Sequence, residues 1–353
     1  MEEKRSHARR LSLSLVVPCY STERYEDLLR LVASLEAQTQ PIDHVIFVVQ
    51  QSEVLRERLQ AFLNASTCSH SVEIAFMDSD PGVARARNRG IDCATGDIIA
   101  FTDDDAVLAT DWAEQTRRVY RENPRMAGLA GAIIPMWDSP AMAWFPRELY
   151  WMISCTYWET SVTMPVRNGY GANMSFRRDA LGERRFDESL GVGAWATGAW
   201  RGVGGEEPEL CVRLRRETEG DILYVPDVRA WHRVRPYRLS IRTIVRRAYW
   251  EGRFKAILER TQHPDEAVLG TEHALLRMVA DNSVSRLEKV ISQPSRALRQ
   301  QVVVTFAVAA VLCGYAEGKA RGMVHRPRAD RDRKPDGPEG QGPLGYVFQD
   351  RVT

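Results

Sequence analysis

The chain has 353 residues, 44% of them hydrophobic, which suits one large packed domain with a smaller appendage. Its 48 basic and 47 acidic side chains nearly cancel, so net charge gives no argument for nucleic acid or another strongly charged partner. The six cysteines are scattered and form no C-x-x-C pair, which indicates reduced thiols and argues against a disulfide framework or a zinc site. These features exclude a fibrous or wholly disordered chain.

The amino-terminal part alternates between strand and helix patterns, as expected for parallel βαβ units. A polar leader precedes the apolar run LSLSLVVP (11–18), which is too short for a signal peptide and is predicted to be the first buried strand. Apolar residues at helical spacing follow it, and further strands are predicted at 44–49 and 72–77, with a helix at about 54–63 between them. This order predicts the start of a doubly wound sheet.

The next helix pattern, GVARARNRGI, is rich in arginine. Asp80 is expected to cap this helix and Pro81 to begin it. The backbone N–H that proline lacks would have no hydrogen-bond partner within the helix at that position. Helical spacing places Arg85 and Arg89 on one face and Arg87 roughly opposite them. The pair could bind phosphate or ribose. Surface arginines are common on such helices, so this segment alone is weak evidence.

Three consecutive carboxylates follow a buried strand pattern. The strand DIIAFT (97–102) runs directly into Asp103, Asp104 and Asp105, and ligands of open α/β sheets bind outside the carboxyl ends of strands. Adjacent carboxylates repel and raise one another's pKa unless a cation binds. Mg²⁺ or Mn²⁺ would relieve that repulsion and would also bind phosphate oxygens. The alternative is a solvated acidic turn that caps the following helix.

Two more acidic residues lie at the start of a later helix, after a second half that contains the strand patterns AGLAGAIIP and GYGANMSF. In GGEEPEL, Glu206 and Glu207 come just before Pro208, so one of them could act as a general base on an acceptor hydroxyl. Acidic residues at a helix start are also favoured by the helix dipole alone. Further on, His232 ends a probable strand, where a ring nitrogen could complete a metal site or be a satisfied structural group.

The character of the chain changes beyond His232. The segment 229–260 contains ten Lys or Arg and two Glu, and it is predicted to be a basic helix with an apolar face formed by Ile241, Ile244, Val245 and Ala248. That face could lie on an anionic membrane surface, but docking on the catalytic domain is favoured. The apolar run 302–315 is shorter than the about 20 residues of a membrane span and suits a buried or interfacial helix.

The order of the motifs is the decisive observation: VVPCY, VVQQS, GVARARNRGI, FTDDDA, GYGANMSFRR, RFDESLG, GGEEPEL and WH. Together they resemble the family 2 inverting glycosyltransferases of the GT-A fold, over about 13–232. The resemblance implies an α/β fold with a Rossmann-like, mostly parallel sheet flanked by helices, here followed by a C-terminal helical appendage. It also implies a metal-dependent, hexosyltransferase-type enzyme that moves a sugar from a nucleotide-diphosphate sugar to an acceptor hydroxyl with inversion.

The resemblance assigns roles to individual residues. Asp105, with Asp103 and His232, would hold Mg²⁺ or Mn²⁺ on the diphosphate, and Glu207, preceded by Glu206, would be the catalytic base. The nucleotide-sugar donor would be bound by Pro18, Tyr20, Gln50, Arg87, Asp103, Asp104 and Asn173.

Two positions depart from the family pattern. Gln50 stands where the family usually has an aspartate that reads the base, and a glutamine amide can still pair with uracil, so UDP is the expected nucleotide. Glutamate replaces aspartate at Glu207, which lengthens the base by one methylene.

The sequence therefore predicts a leader (1–10), a catalytic domain (11–235), a helical appendage that could face a membrane (236–324) and a disordered tail (325–353). The acceptor would be a glycan, a lipid-linked glycan or a small molecule, as in cell-envelope or polysaccharide synthesis. The expected location is the cytoplasm, with peripheral attachment to the cytoplasmic face of the membrane as a further hypothesis. The alternatives are a catalytically silent carbohydrate- or nucleotide-binding GT-A protein and a nucleotidyltransferase, although no Gly-rich loop follows the first strand.

Overall fold

The structure is a computed structural model that describes residues 10–65, 70–79, 81–158, 160–191, 204–261 and 270–324. Asp80 and the tail 325–353 lie outside the described residues, so the expected helix cap and the expected disorder are not addressed. The cysteines within the described ranges are all free: Cys19, Cys93, Cys155, Cys211 and Cys313.

The described elements alternate as predicted through the first half of the chain. The strands are β1 (Leu13–Cys19), β2 (His44–Gln50), β3 (Ser71–Met77), β4 (Ile98–Phe101), β5 (Ala106–Leu108), β6 (Gly128–Trp137), β7 (Met164–Pro165), β8 (Met174–Arg177) and β9 (Ile222–Val234). The helices are α1 (Tyr25–Glu36), α2 (Glu53–Ala65), α3 (Val83–Cys93), α4 (Trp112–Glu122), α5 (Arg178–Leu181), α6 (Glu206–Thr218), α7 (Ile241–Thr261), α8 (Gly270–Lys289) and α9 (Pro294–Val324).

The strands form one sheet in the order β3-β2-β1-β4-β8-β6-β9-β5, and β7 pairs with β9. The first four strands in this order are parallel, as predicted. The other half of the sheet is mixed: β6 pairs in parallel with β9, whereas β8 runs antiparallel to both β4 and β6, and β5 and β7 run antiparallel to β9. The longest pairings are parallel ones, in agreement with the expectation of a mostly parallel sheet.

The parallel half is buried on both faces. Every residue of β1 and β4 is buried, and apolar residues of the flanking helices cover the two sides of the sheet. Helix α3 begins at Val83 and not at Pro81, because the backbone N–H of Gly82 donates to the side-chain oxygen of Gln50 at 2.8 Å. That bond keeps the segment before α3 extended beside the end of β2.

The basic helix α7 docks on the catalytic domain, the alternative favoured from the sequence. Ile244 and Ala248 are fully buried in a cluster that also contains Ile133 of β6 and Val304 of α9. Ile241 departs from the predicted apolar face and is 46% exposed, because it occupies the first position of the helix. A buried ion pair between Glu148 and Arg286, together with the amide of Asn282, attaches α8 to the same region.

The carboxyl-terminal helix is longer than the sequence indicated. The apolar run 302–315 is the middle of α9, which has 31 residues and contains a segment, Pro294–Arg321, long and apolar enough to cross a membrane. The helix is therefore long enough to span a membrane, and the prediction that it is too short is wrong. One third of the most apolar part is buried within the protein, where α9 packs along α7.

Glycines allow α7 and α9 to approach backbone to backbone. A Cβ at Gly314 would collide with the backbone carbonyl of Tyr249, and one at Gly252 would collide with that of Val311. We therefore expect Gly314→Ala to lower the free energy of unfolding by about 1–3 kcal/mol, as overpacking does, although alanine is the better helix former. Chemical denaturation measures this loss, and Cys313→Ala on the exposed side of α9 is the matched control. Equal stability of the two variants would contradict the close contact.

Candidate active site

Two aspartates and a histidine meet at the edge of the sheet. Asp103 and Asp105 follow β4, and the antiparallel pairing of β5 with β9 places His232 opposite Ala106. His232 Nε2 lies 3.1 Å from Asp105 Oδ1 and 3.7 Å from Asp103 Oδ2. One ligand atom from each of the three residues lies within 4.8 Å of the others. The predicted metal ligands are therefore brought together by the fold.

These side chains fit a divalent cation. His232 and Asp105 are almost completely buried, yet both ring nitrogens of His232 and Oδ1 of Asp105 have no hydrogen-bond partner among the described residues. Although Nε2 and Oδ1 are close, they are not aligned for a hydrogen bond. Unsatisfied buried polar atoms are rare in folded proteins and call for an ion or a ligand. Carboxylate and imidazole groups are suitable ligands for Mn²⁺. They also suit Mg²⁺ when few of the ligand atoms are nitrogens.

The middle aspartate of the triplet points away from this cluster. Asp104 is buried and accepts a hydrogen bond at 2.6 Å from Arg24, which lies on the turn before α1 and also pairs with Asp105 at 3.2 Å. Burial raises the pKa of Asp104 to about 7 against the opposing effect of Arg24. Burial also acts to raise the pKa of Asp105, but His232 and Arg24 outweigh it and hold that pKa well below its usual range. No local sequence pattern indicated a role for Arg24.

The two glutamates occupy the first turn of α6. Gly204 and Gly205 precede them with φ of +89° and +109°, a backbone conformation that favours glycine. Burial, followed by the charge of Glu207, raises the pKa of Glu206 to about 8, so this carboxyl is protonated near pH 7. Glu207 is more exposed than Glu206 and faces the same cavity. The carboxyl of Glu207 therefore lies beside a protonated one.

Arg87 joins the glutamates to the acidic cluster. Its Nη1 lies 3.0 Å from Glu206 and 3.1 Å from Glu207, and its Nη2 lies 3.8 Å from Asp103. The backbone N–H of Gly171 also donates to Glu207 at 3.3 Å, and a Cβ at this glycine would collide with the guanidinium group. Gly171, the second glycine of GYGAN, is thus required by the close approach of Arg87.

The arginine pair predicted on the opposite face of α3 does not reach this site. Arg85 forms an ion pair at 3.3 Å with Glu188, and Arg89 is exposed. The face that carries Arg87 is the one turned to the cavity, in agreement with the role that the family resemblance implied. Helical spacing separated the two faces correctly but could not tell which one faces the ligand.

A cavity of about 760 Å³ lies against both carboxylate groups. Its walls include most of the residues expected to bind the donor, namely Pro18, Tyr20, Gln50, Arg87, Asp103 and Asp104, and also the two expected catalytic residues, Glu206 and Glu207. Tyr20 is 57% exposed, so its ring is free to stack on a planar group. A cavity of this size suits a nucleotide sugar.

Asn173 has a structural role in place of the expected contact with donor sugar or acceptor. Its amide is 1% exposed, donates to the carbonyls of Ala132 and Val228 and accepts from the indole N–H of Trp112. These bonds hold β6, β9 and α4 together and leave the side chain no group for a ligand. The sequence motif was correct, but the direction of the side chain depends on the strands packed around it.

The fold resembles that of a solved enzyme, mannosyltransferase PcManGT from Pyrobaculum calidifontis in complex with GDP-Man and Mn²⁺. The two superpose with a TM-score of 0.56 at 15% identity, over 86% of this chain and 88% of the other. The architecture is that of the GT-A glycosyltransferases.

The model of the family "Glycosyl transferase family 2" matches residues 14–185. A glucosyl-dolichyl phosphate glucuronosyltransferase of Haloferax volcanii is 31% identical over 316 residues, covering 87% of this chain and 96% of that protein. The chain belongs to glycosyl transferase family 2.

A second relative matches a shorter part of the chain. The succinoglycan biosynthesis protein ExoM of Rhizobium meliloti is 30% identical over 175 residues, 48% of this chain and 50% of its own length. All of these matches are to glycosyltransferases or to proteins of glycan synthesis, and they support an enzyme of that class over a nucleotidyltransferase.

Proposed function

We propose that this protein transfers a sugar from a nucleoside-diphosphate sugar to an acceptor hydroxyl with inversion at the anomeric carbon. One observation carries the proposal: Asp103, a member of the cluster with Asp105 and His232, lines the same cavity as the Glu206 and Glu207 pair. The first group suits a diphosphate with its counter-ion, and the second suits removal of a proton from an attacking hydroxyl. Both groups are needed for glycosyl transfer.

The donor would occupy the side of the cavity formed by the ends of β1 and β2. Tyr20 offers a ring for stacking, and Pro18 forms the wall beside it. The side-chain oxygen of Gln50 is already used by Gly82, which leaves its amide N–H groups to donate to a carbonyl of the base. Uracil offers such carbonyls, so UDP is the proposed nucleotide. Asp104 would contact the ribose or remain paired with Arg24.

Asp103, Asp105 and His232 would hold a divalent cation, Mn²⁺ or Mg²⁺, whose contribution when bound is to neutralise charge on the departing diphosphate. Glu207 is the proposed base, because it is the more exposed of the two carboxyls in the cavity. It would accept the proton of the acceptor hydroxyl as that oxygen attacks the face of the sugar opposite the diphosphate. Arg87 and the N–H of Gly171 would fix the orientation of its carboxylate.

The acceptor is proposed to belong to lipid-linked glycan or polysaccharide synthesis, in line with the names of the two relatives. We also propose that α8 and α9 lie on the cytoplasmic face of a membrane. Large hydrophobic side chains are exposed along these helices and the turn between them, namely Leu276, Val284, Leu287, Val290, Ile291, Leu298, Val302, Phe306 and Leu312. Lys289, Arg296 and Arg299 are exposed around that turn, which suits an anionic lipid surface.

Nucleotide binding is the first test of the proposed function. We expect UDP with Mn²⁺ to raise the melting temperature of the protein by roughly 5 °C at a ligand concentration about 100 times Kd, where the stabilisation is about 2.7 kcal/mol. GDP and dTDP, each with and without Mn²⁺, are the comparisons in the same thermal-shift experiment. A larger shift with GDP or dTDP would indicate that this nucleotide, and not UDP, is part of the donor. If no nucleotide shifts the folded protein, a catalytically silent member of the fold becomes the better account.

A further inference from the structure

The part of the cavity formed by α7 carries arginines that the donor site does not use. Arg238 lies on the turn before α7, Arg246 and Arg247 lie on α7, and all three line the cavity. Within the described ranges, none of their guanidinium groups forms an ion pair or hydrogen bond. Two other cations of the same wall, Lys255 and Arg167, share Glu272 at 2.5 and 2.7 Å. Unlike those two cations, Arg238 and Arg247 have carboxylates within electrostatic range but no direct ion pair to a described residue.

Arg238 and Arg247 are close enough to affect each other. Burial and then the charge of Arg238 lower the pKa of Arg247 to about 10, against the opposing effect of Glu251. The Nη1 atom of Arg238 is buried and has no hydrogen-bond partner among the described residues. Two neighbouring cations, one of them with an unsatisfied buried donor, are unfavourable unless an anion lies between them. A phosphate group has the charge and the acceptor oxygens to satisfy both.

Beyond these arginines the wall of the cavity becomes apolar. Leu275, Leu276 and Val279 of α8 face it from one side, and Val308, Val311 and Leu312 of α9 face it from the other. Leu276 is 49% exposed and Leu312 is 58% exposed, so the apolar wall extends to the outer surface of the protein. It is continuous there with the exposed hydrophobic side chains of α8 and α9. Apolar side chains thus extend from the cavity to the outer surface, as the binding of a hydrocarbon chain requires.

We propose that this end of the cavity binds an acceptor whose phosphate is esterified to a lipid alcohol. The phosphate lies between Arg238 and Arg247, and the hydrocarbon follows the apolar wall formed by α8 and α9. The inference rests on the proposed function, because it assigns the acceptor to the part of the cavity formed by α7, α8 and α9. A free glycan would satisfy neither the two cations nor the apolar wall. Arg247 also lies within electrostatic range of Glu207, which brings the bound lipid phosphate near the proposed base.

The test measures binding of farnesyl phosphate, used below its micelle concentration, to the full chain saturated with UDP and Mn²⁺. We expect farnesyl phosphate to bind at least about 10-fold more tightly than farnesol or inorganic phosphate, because only the ester carries both groups. Arg238→Gln and Arg247→Gln should each weaken its binding by about 10- to 100-fold, the value of a charge-assisted hydrogen bond. Arg242→Gln, an exposed position of α7 outside the cavity lining, is the matched control and should bind normally.

The hydrocarbon contact has its own pair of variants. Leu312→Ser should weaken farnesyl phosphate binding, whereas Leu298→Ser, exposed on α9 but outside the cavity lining, should not. Melting temperatures verify that each variant is folded. The inference is overturned if the arginine variants lose UDP affinity as strongly as lipid-phosphate affinity, because the two cations then serve the donor diphosphate. It is also overturned if wild type binds UDP with Mn²⁺ but not farnesyl phosphate. Failure of UDP binding itself would instead contradict the proposed function.

Discussion

Glu207→Gln is expected to lower kcat by about 10²- to 10⁴-fold, the usual contribution of a general base, while UDP affinity remains nearly unchanged. The amide is close in shape to the carboxylate and can keep a contact with the N–H of Gly171, but it cannot accept the proton of the acceptor hydroxyl. Steady-state kinetics with saturating donor measure kcat, and a thermal shift with UDP measures donor binding. A variant with kcat within a few-fold of wild type would show that Glu207 is not the base.

Glu206→Gln is the matched control for this experiment. Burial and the charge of Glu207 keep the Glu206 carboxyl protonated near pH 7, so an amide reproduces both its shape and its charge. We expect a much smaller loss of kcat than for Glu207→Gln. If Glu206→Gln proves the more damaging change, the roles of the two carboxyls are exchanged.

Asp105→Asn is expected to remove the part of the UDP stabilisation that depends on Mn²⁺. The carboxylate is buried between His232 and Arg24, and the amide cannot supply a second anionic ligand. Thermal shifts with UDP, with and without Mn²⁺, separate the metal-dependent part of the stabilisation from binding of the nucleotide alone. We expect activity to fall with it.

The exposed Asp227→Asn serves as the control for loss of a carboxylate, because Asp227 lies on β9 away from the cluster. It should keep the full Mn²⁺-dependent shift. An Asp105→Asn protein that responds to Mn²⁺ as wild type does would refute the assignment of this residue as a ligand. The paired variants thus test the site without relying on the acceptor, whose structure is a separate question.

The elements around the donor pocket were predictable because local patterns define them. The first strands are continuous apolar runs, and the acidic triplet directly follows one of them, so Asp103 and Asp105 could be placed at a strand end. His232 was assigned to the same metal site from the family resemblance, which rests on the order of the motifs. The fold supplies the physical reason, since β9 lies next to β5 in the sheet.

Other features depend on contacts between distant segments and left no local pattern. Arg24 was not recognised because nothing in its neighbourhood indicates a partner about 80 residues away. Asn173 was assigned to the ligand because the motif does not reveal that its amide is used by Trp112 and two backbone carbonyls. The sequence likewise does not indicate which strands run antiparallel, because strand direction depends on how the chain returns to the sheet and not on the composition of each strand.

The close packing of α7 against α9 also has a consequence for which acceptors can react. Because backbone meets backbone at Gly252 and Gly314, sliding of the two helices would disrupt this close packing, so the apolar outer side chains of α9 keep a defined position relative to the α7 wall of the cavity. On a bilayer, the proposed base would then sit at a constant height above the lipid. An anchored substrate would react only when the number of sugar units between its anchor and its free hydroxyl matches that height. The enzyme would thus measure chain length and extend one intermediate of a growing glycan in preference to shorter or longer ones.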